Sequence, residues 1–302
     1  MSGSSARPSL KSALDAERPL VTPLAHDALS ARLIERAGFS AFAIGGSAML
    51  AARYALPDIG LAALGEMASG IADIAAATSL PFLTDGDDGY GDVKSVARTI
   101  ETYERLGVGG ILLEDQQRER KQQRAEGAKG VVPEGEILAK LEAAMAARRR
   151  PDTLVIGRTD AYAALGLDAA MKRAERFLKI GVDGIFITGL KTRADFERVG
   201  SAFRGAMLSA AVFEGVGTPW LSPQELGGLG YRHVSFPATL IFRAVAVMQE
   251  TLAALRRHGQ GSEPMEPAGE SQQGRTILDD ALDLGRWQRI ERDFATPGGG
   301  TR

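Results

Sequence analysis

Short runs of β-branched and large apolar residues alternate with longer stretches in which apolar positions recur every three or four residues. The short runs predict strands at 20–24, 41–45, 81–85, 109–114, 153–158, 184–188, 206–211 and 233–236. The longer stretches predict helices at 28–37, 65–78, 93–106, 134–148, 167–180, 193–199 and 223–229, with a further long helix from 238 to 257. A phrase of helix, glycine, strand recurs at Ala37-Gly38-Phe39, Leu106-Gly107-Val108, Ile180-Gly181-Val182 and Leu229-Gly230-Tyr231, each glycine standing where a helix C-terminus turns into a strand. Eight strands in strict alternation with helices predict an α/β fold, a (β/α)8 TIM-type barrel over residues 10–258. A doubly wound open sheet is the weaker alternative, because no G-x-G-x-x-G opens a helix after the first strand.

Beyond the barrel, residues 259–275 are rich in Gly, Pro, Ser and Gln and read as a linker. Residues 276–294 return to helical spacing through Ile277, Leu278, Leu282, Leu284, Trp287, Ile290 and Phe294, which predicts a C-terminal helical segment. The tail from 295 to 302 is expected to be disordered.

Composition narrows the function classes. The 302 residues are 44% hydrophobic and 25% charged, ordinary for a soluble globular protein. The formal net charge of -2 gives no electrostatic reason to expect nucleic acid or an anionic membrane as partner. Cysteine is absent, which excludes disulfides, thiolate metal sites and cysteine nucleophiles and fits a cytoplasmic protein. Residues 1–7 are polar, so no secretory signal is expected, and no apolar run is long enough to span a bilayer.

The chemistry of a barrel enzyme stands at the C-terminal ends of its strands. Those ends read Gly45-Gly46-Ser47, Asp85-Gly86-Asp87-Asp88, Glu114-Asp115, Arg158-Thr159-Asp160, Thr188 and Phe213-Glu214. Taken singly, each has a plain reading: a Gly-rich turn whose Asp side chains cap the next helix, a loop-orienting acid, a strand-end salt bridge. Taken together, carboxylates from the third and fourth strands converge with an arginine from the fifth. That combination suits a hard divalent cation beside a small anionic substrate. Gly45 and Gly46 leave backbone N–H groups for an oxyanion, with the Ser47 hydroxyl beside them.

Several motifs carry a resemblance. These are Pro23-Leu24-Ala25-His26-Asp27, Leu56-Pro57-Asp58, Asp85-Gly86-Asp87-Asp88-Gly89-Tyr90-Gly91, Leu113-Glu114-Asp115-Gln116, Gly157-Arg158-Thr159-Asp160-Ala161 and Gly217-Thr218-Pro219-Trp220. Through them the chain resembles the phosphoenolpyruvate mutase and isocitrate lyase superfamily over about 23–254, near its carboxyphosphonoenolpyruvate phosphonomutase and methylisocitrate lyase branches. The resemblance implies a barrel whose last helix is exchanged between subunits of a homodimer or homotetramer, with 276–294 a candidate for part of that exchange. It implies Mg²⁺ (or Mn²⁺) held directly by Asp87, with Asp85 and Glu114 supporting through water and Asp58 close to metal and substrate. Gly46, Ser47 and Arg158 would bind the substrate carboxylate. Chemistry would pass through an enolpyruvate-like oxyanion, with Asp58, Lys121 and Arg158 as catalytic residues; Arg118, Glu119, Arg120, Lys121 and Arg124 also have the plain reading of a solvated loop.

The departures matter as much. Lyases of this family carry Lys-Arg-Cys-Gly-His in the gating loop; here the run is Lys121-Gln122-Gln123-Arg124-Ala125. Gln123 takes the cysteine position, and an amide cannot exchange a proton at neutral pH. The mutase branch has an asparagine near this point, so Gln123 is chemically closer to that pattern and is a candidate substrate-binding residue. Thr188 and Ala211 stand where lyases usually have glutamate and asparagine, Gly217 replaces a lysine of several relatives, and His26 replaces a tyrosine near the substrate. His26 is either a donor in the substrate wall or a packed ring, His233 is expected to be a core histidine, and His258 is expected to be exposed. The expectation is a Mg²⁺-dependent enzyme acting on a small α-keto acid or its enol, through carbon–carbon cleavage of an oxaloacetate-like substrate rather than cysteine-dependent (methyl)isocitrate cleavage. Phosphorus–carbon chemistry of the phosphonomutase or phosphonopyruvate hydrolase kind is the alternative, and a non-catalytic ligand-binding barrel is the third.

Overall fold

The computed structural model describes residues 7–121, 130–214, 221–261 and 269–295. Eight parallel strands close into a barrel in sequence order: β1 (Leu20–Ala25), β2 (Phe42–Ile44), β3 (Phe82–Asp85), β4 (Gly110–Glu114), β5 (Leu154–Thr159), β6 (Gly184–Ile187), β7 (Met207–Ala211) and β8 (His233–Phe236), with β8 pairing back to β1. All eight predicted strands are present, each within a residue or two of its expected bounds. The helices are α1 (Leu10–Ala16), α2 (Ala28–Arg36), α3 (Gly46–Tyr54), α4 (Leu64–Ala76), α5 (Val93–Arg105), α6 (Glu134–Ala147), α7 (Ala161–Leu165), α8 (Leu167–Ile180), α9 (Arg193–Ala202), α10 (Pro223–Gly228), α11 (Thr239–Gly259), α12 (Gly269–Ala281) and α13 (Leu284–Phe294).

Local chemistry explains these elements. In α5, Asp92 accepts hydrogen bonds from the Lys94 and Ser95 backbone N–H groups, while Val96, Thr99, Ile100 and Tyr103 turn one face to the core. The four glycines of the helix–glycine–strand phrase all adopt positive φ (Gly38 85°, Gly107 78°, Gly181 97°, Gly230 102°), the left-handed turn a helix C-terminus needs. Between helices and barrel lies a continuous apolar layer that includes Phe42, Phe82, Ile111, Tyr103 and Phe177.

A second, smaller cluster fills the barrel itself: Leu20, Leu24, Ala43, Leu83, Leu154 and Ile156, with Leu10 and Leu14 of α1 packed against them. A Cβ on Gly109 or Gly110 would lie 2.9 or 2.8 Å from Leu10, so α1 plugs the end of the barrel where strands begin. Each buried leucine there contributes about 1.5–3 kcal/mol. His233 adds a polar rung inside the barrel, its Nε2 2.8 Å from Thr22 Oγ1 and its Nδ1 3.1 Å from Ser209 Oγ. That is the core histidine expected from the sequence. Burial pushes its pKa down to about 4.

The C-terminal region differs from expectation. The chain divides into two compact units, Met1–Phe242 and Arg243–Arg302. Helix α12 begins at Gly269, within the stretch that reads as linker; its first part, Gly269 to Arg275, has Glu, Gln and Arg residues that favour helix but no apolar residue to signal it. The single helix expected over 276–294 is two, α12 and α13, broken where Asp283 takes a φ of 54°. Helices α1, α3 and α7 were not anticipated at all. Among the described residues no helix is long and apolar enough to cross a membrane.

Candidate active site

Side chains of a strand alternate between its two faces, so residues two apart share one. Leu83, Leu112, Ile156 and Phe186 belong to the cluster inside the barrel. Two positions further on, at the ends of the same strands or just past them, stand Asp85, Glu114, Arg158 and Thr188. The parallel register aligns Glu114 with Arg158 and Asp85 with Leu112. Strand alternation alone therefore delivers two carboxylates and a guanidinium to the inner rim of the barrel. Arg158 Nη2 lies 3.0 Å from Glu114 Oε2, and Nη1 lies 3.7 Å from Asp85 Oδ2.

The turn after β3 adds Asp87. Gly86 permits it: its N–H donates to Leu112 O at 2.8 Å, and a Cβ there would come within 2.8 Å of the same oxygen. Asp87 itself adopts a φ of 50°, uncommon for a residue with a side chain. Its backbone N–H donates to Asp85 Oδ1 at 3.0 Å. Into this cluster reaches Lys121, whose ammonium donates to Asp87 Oδ1 and lies 3.0 Å from Asp58 Oδ1 and 3.3 Å from Glu114 Oε1.

Five carboxylates (Asp58, Asp85, Asp87, Glu114, Asp160) thus face two cationic side chains, Lys121 and Arg158. Burial and the facing charges compete at these groups. Burial pushes the Asp87 carboxyl up to about 6 against the pull of Lys121, and the Glu114 carboxyl up to about 8 against Arg158 and Lys121. Burial also works against the Lys121 ammonium, but Glu114, Asp87, Asp85 and Asp58 outweigh it and raise its pKa. Among the described residues the carboxylates of the pocket outnumber its cations. Among the described residues no three carboxylates form a ready-made ligand set for an ion, and Lys121 fills their focus. Mg²⁺ takes few protein ligands and keeps several waters. A hard-oxygen donor set with surplus negative charge suits such an ion.

The remaining candidates fall as follows. Gly46 opens α3, and a Cβ on it would lie 3.8 Å from Asp85 Oδ2, so the Gly46–Ser47 backbone borders the cluster. His26 follows β1 on the same rim. Its Nε2 lies 3.9 Å from Asp27 Oδ2, its buried Nδ1 has no hydrogen-bond partner among the described residues, and burial lowers its pKa. Among the described residues no hydrogen bond or ion pair joins its ring to Asp85, Asp87 or Glu114. Thr188 does not point a free hydroxyl at the pocket; it donates to Asp160 Oδ1 at 3.0 Å. Gln123, with the rest of the loop 122–129, and Gly217 lie outside the described residues.

Two residues of the rim motifs, Asp160 and Asp88, have no site role in the sequence reading. Asp160 reads from sequence as a helix cap or an ordinary salt bridge. In the structure it holds Arg158 through two hydrogen bonds, Nε to Oδ2 at 3.0 Å and Nη2 to Oδ1 at 3.2 Å. Asp88 is drawn away from the pocket by Arg118 and by Lys140 at 3.6 Å; burial opposes its charge, but these cations hold its carboxyl below the ordinary range. Lys140 was detectable, because it falls on the buried face of α6 with Ile137, Leu141 and Ala144.

An acidic pocket with a buried arginine at the C-terminal rim of a parallel (β/α)8 barrel is the arrangement of a barrel enzyme. Residues 10–256 match the phosphoenolpyruvate phosphomutase family, and the chain belongs to it, within a superfamily of lyases and mutases. It is 39% identical over 253 residues to a probable 2-methylisocitrate lyase 1 of Corynebacterium glutamicum, covering 84% of this chain and 82% of that protein. It is 31% identical to the 2,3-dimethylmalate lyase of Eubacterium barkeri (95% and 97% covered). With an oxaloacetate decarboxylase of Rhodopseudomonas palustris it shares 38% identity over 177 residues, 59% of this chain and 61% of that one. Two solved structures superpose closely. Oxaloacetate acetylhydrolase in complex with the inhibitor 3,3-difluorooxalacetate gives a TM-score of 0.84 at 29% identity, with 96% and 97% covered. Phosphonopyruvate hydrolase in complex with oxalate and Mg²⁺ gives 0.78 at 26% identity, with 95% and 98% covered.

Proposed function

We propose that this protein is a Mg²⁺-dependent carbon–carbon lyase acting on a small α-keto dicarboxylate of the oxaloacetate type. The observation that carries the reading is the surplus of carboxylates, Asp58, Asp85, Asp87 and Glu114, gathered around one lysine beside Arg158. Asp87 would hold the ion directly, with Asp85 and Glu114 supporting it through water and Asp58 alongside. Bound there, Mg²⁺ supplies Lewis acidity to the α-keto oxygen of the substrate.

The chain's own groups do the rest. Arg158 would hold the substrate carboxylate in register, together with Gly46 and Ser47. Lys121 contributes a positive charge where negative charge develops on the substrate. No thiol exists to act as an acid or base, so cysteine-dependent cleavage of (methyl)isocitrate is outside this chain's reach. The identity to an oxaloacetate decarboxylase and the likeness to oxaloacetate acetylhydrolase support the substrate class. Like its family, the protein would work as a homodimer or homotetramer, which light scattering can read.

The likeness to phosphonopyruvate hydrolase favours one second reading, phosphorus–carbon cleavage in the same pocket. Purified protein with Mg²⁺, and again with EDTA, should be assayed for pyruvate release from oxaloacetate, phosphonopyruvate and methylisocitrate. Metal-dependent turnover of oxaloacetate is expected, and Asp87→Ala should abolish it without unfolding the barrel. Turnover of phosphonopyruvate alone would replace the leading reading with the second. No turnover, and no Mg²⁺-dependent oxalate binding, would leave a non-catalytic barrel.

A further inference from the structure

Asp160 occupies the N-cap position of α7, where an aspartate ordinarily accepts a hydrogen bond from the first turn of its helix. It makes no such bond. The side chain turns instead into the barrel rim, fully buried, and clasps Arg158 along one edge: Nε to Oδ2 at 3.0 Å and Nη2 to Oδ1 at 3.2 Å. Two further donors hold the same carboxylate, Thr188 Oγ1 at 3.0 Å and Gln116 Nε2 at 3.5 Å, both to Oδ1. Behind it the Asp160 backbone N–H donates to Asp115 Oδ1 at 2.8 Å. Asp115 is fixed in turn by Thr159 Oγ1 at 2.6 Å and Arg173 Nη1 at 3.0 Å. A helix cap has been given up for a clamp built from the ends of β4, β5 and β6.

The clamp decides which part of the guanidinium remains for a ligand. Nε and Nη2 are engaged by Asp160, and Nη2 also lies 3.0 Å from Glu114 Oε2. Nη1 makes no hydrogen bond among the described residues, its nearest carboxylate oxygen being Asp85 Oδ2 at 3.7 Å. We infer that Asp160, backed by Thr188, is a positioning residue that presents Arg158 end-on, so that a substrate carboxylate is gripped through Nη1 alone. This inference rests on the substrate class proposed above and deepens it. It also gives Thr188 a purpose: its hydroxyl serves the clamp and not the substrate.

The test uses oxalate as probe, titrated calorimetrically into the full-length protein with Mg²⁺, alongside KM and kcat on oxaloacetate. Asp160→Asn keeps the shape but loses the charge and turns an amide N–H₂ toward the guanidinium. A hydrogen bond to a charged group lost in this way should weaken oxalate binding and raise KM by about ten- to a hundred-fold. Thr188→Val should move the same quantities in the same direction by less. In an Arg158→Lys background, Asp160→Asn should add almost nothing, because a residue that acts through Arg158 has nothing left to position. A purely structural residue would give additive losses, and that result overturns the inference; so does Asp160→Asn with wild-type oxalate affinity. If Asp160→Asn fails to fold, Thr188→Val in the two backgrounds decides the matter alone. Wild-type protein that binds no oxalate and turns over no keto acid would sink the proposed function and this inference together, whereas normal wild-type binding with an additive cycle sinks the inference only.

Discussion

Replacing Lys121 by methionine separates two roles open to a buried ammonium among carboxylates: counter-charge for the fold, and rival to an incoming cation. Lys121 sits within 3.3 Å of carboxylate oxygens from Asp58 and Glu114 and is hydrogen-bonded to Asp87. At an effective dielectric constant of about 20, unit charges about 3 Å apart attract by about 5 kcal/mol. Desolvation of the partners offsets most of that. The substitution measures something else, the cost of leaving carboxylates buried without their cation, which is about 3–5 kcal/mol when one side of a buried pair is removed. Some of the orphaned charge can discharge by proton uptake, since burial already holds Asp87 near 6 and Glu114 near 8. The lower end, about 3 kcal/mol, is therefore expected. Urea unfolding followed by far-UV circular dichroism, in EDTA and in excess Mg²⁺, reads it. In EDTA, Lys121→Met should be less stable than wild type by that amount. An ion present at a hundred times its Kd stabilises by about 2.7 kcal/mol, and in the variant it need not displace an ammonium, so Mg²⁺ should narrow the gap. Equal stability in EDTA would show that the carboxylates do not depend on Lys121. A gap untouched by Mg²⁺ would show that ammonium and ion do not compete for the same oxygens.

Two further outcomes follow from groups around the site. His233, with a pKa lowered to about 4 by burial, stays neutral in the native state while the unfolded chain takes up a proton below about 6.5, so its contribution to stability is complete above that pH and erodes as pH falls toward 4. Between pH 7 and pH 5 wild type should lose about 2 kcal/mol more than His233→Asn, and identical slopes in urea titrations of the two proteins would refute the assignment. Gly86→Ala should cost about 1–3 kcal/mol by overpacking, because its Cβ would meet Leu112 O at 2.8 Å, Ile111 at 3.0 Å and Leu113 at 3.1 Å. It should also weaken Mg²⁺ binding by displacing the Asp85–Asp87 turn. Unchanged calorimetric Mg²⁺ affinity would show that Gly86 serves packing alone.

The barrel was legible because its rules are local. Apolar runs set the strands, helical spacing set the helices, and glycines at Gly38, Gly107, Gly181 and Gly230 marked the turns that the structure shows at positive φ. What escaped had weak local signals. α3 starts at Gly46 without a side-chain cap, and the first two turns of α12, Gly269 to Arg275, carry no apolar residue to mark them as helix. The rim groups were legible for a different reason: Asp85, Glu114 and Arg158 each follow an inward-facing apolar residue by two positions, so the strand period carries them to one place.

Asp160 shows where that logic stops. Local preference puts its carboxylate on the first turn of α7, a bond typically contributing about 1 kcal/mol. In the folded chain the carboxylate faces a buried guanidinium held well above its ordinary pKa, although burial works against that charge, by Asp160, Glu114 and Asp85. Two charge-assisted hydrogen bonds to Arg158, each about 1.5–3 kcal/mol, outweigh one cap, and Thr188 and Gln116 add to the same side. The donors come from residues 28 and 44 positions away in sequence, so no window around Asp160 contains them. The local rule fails at Asp160 because the buried guanidinium two residues before it is a stronger partner than the first turn of α7, and the distant donors Thr188 and Gln116 hold the carboxylate toward the rim.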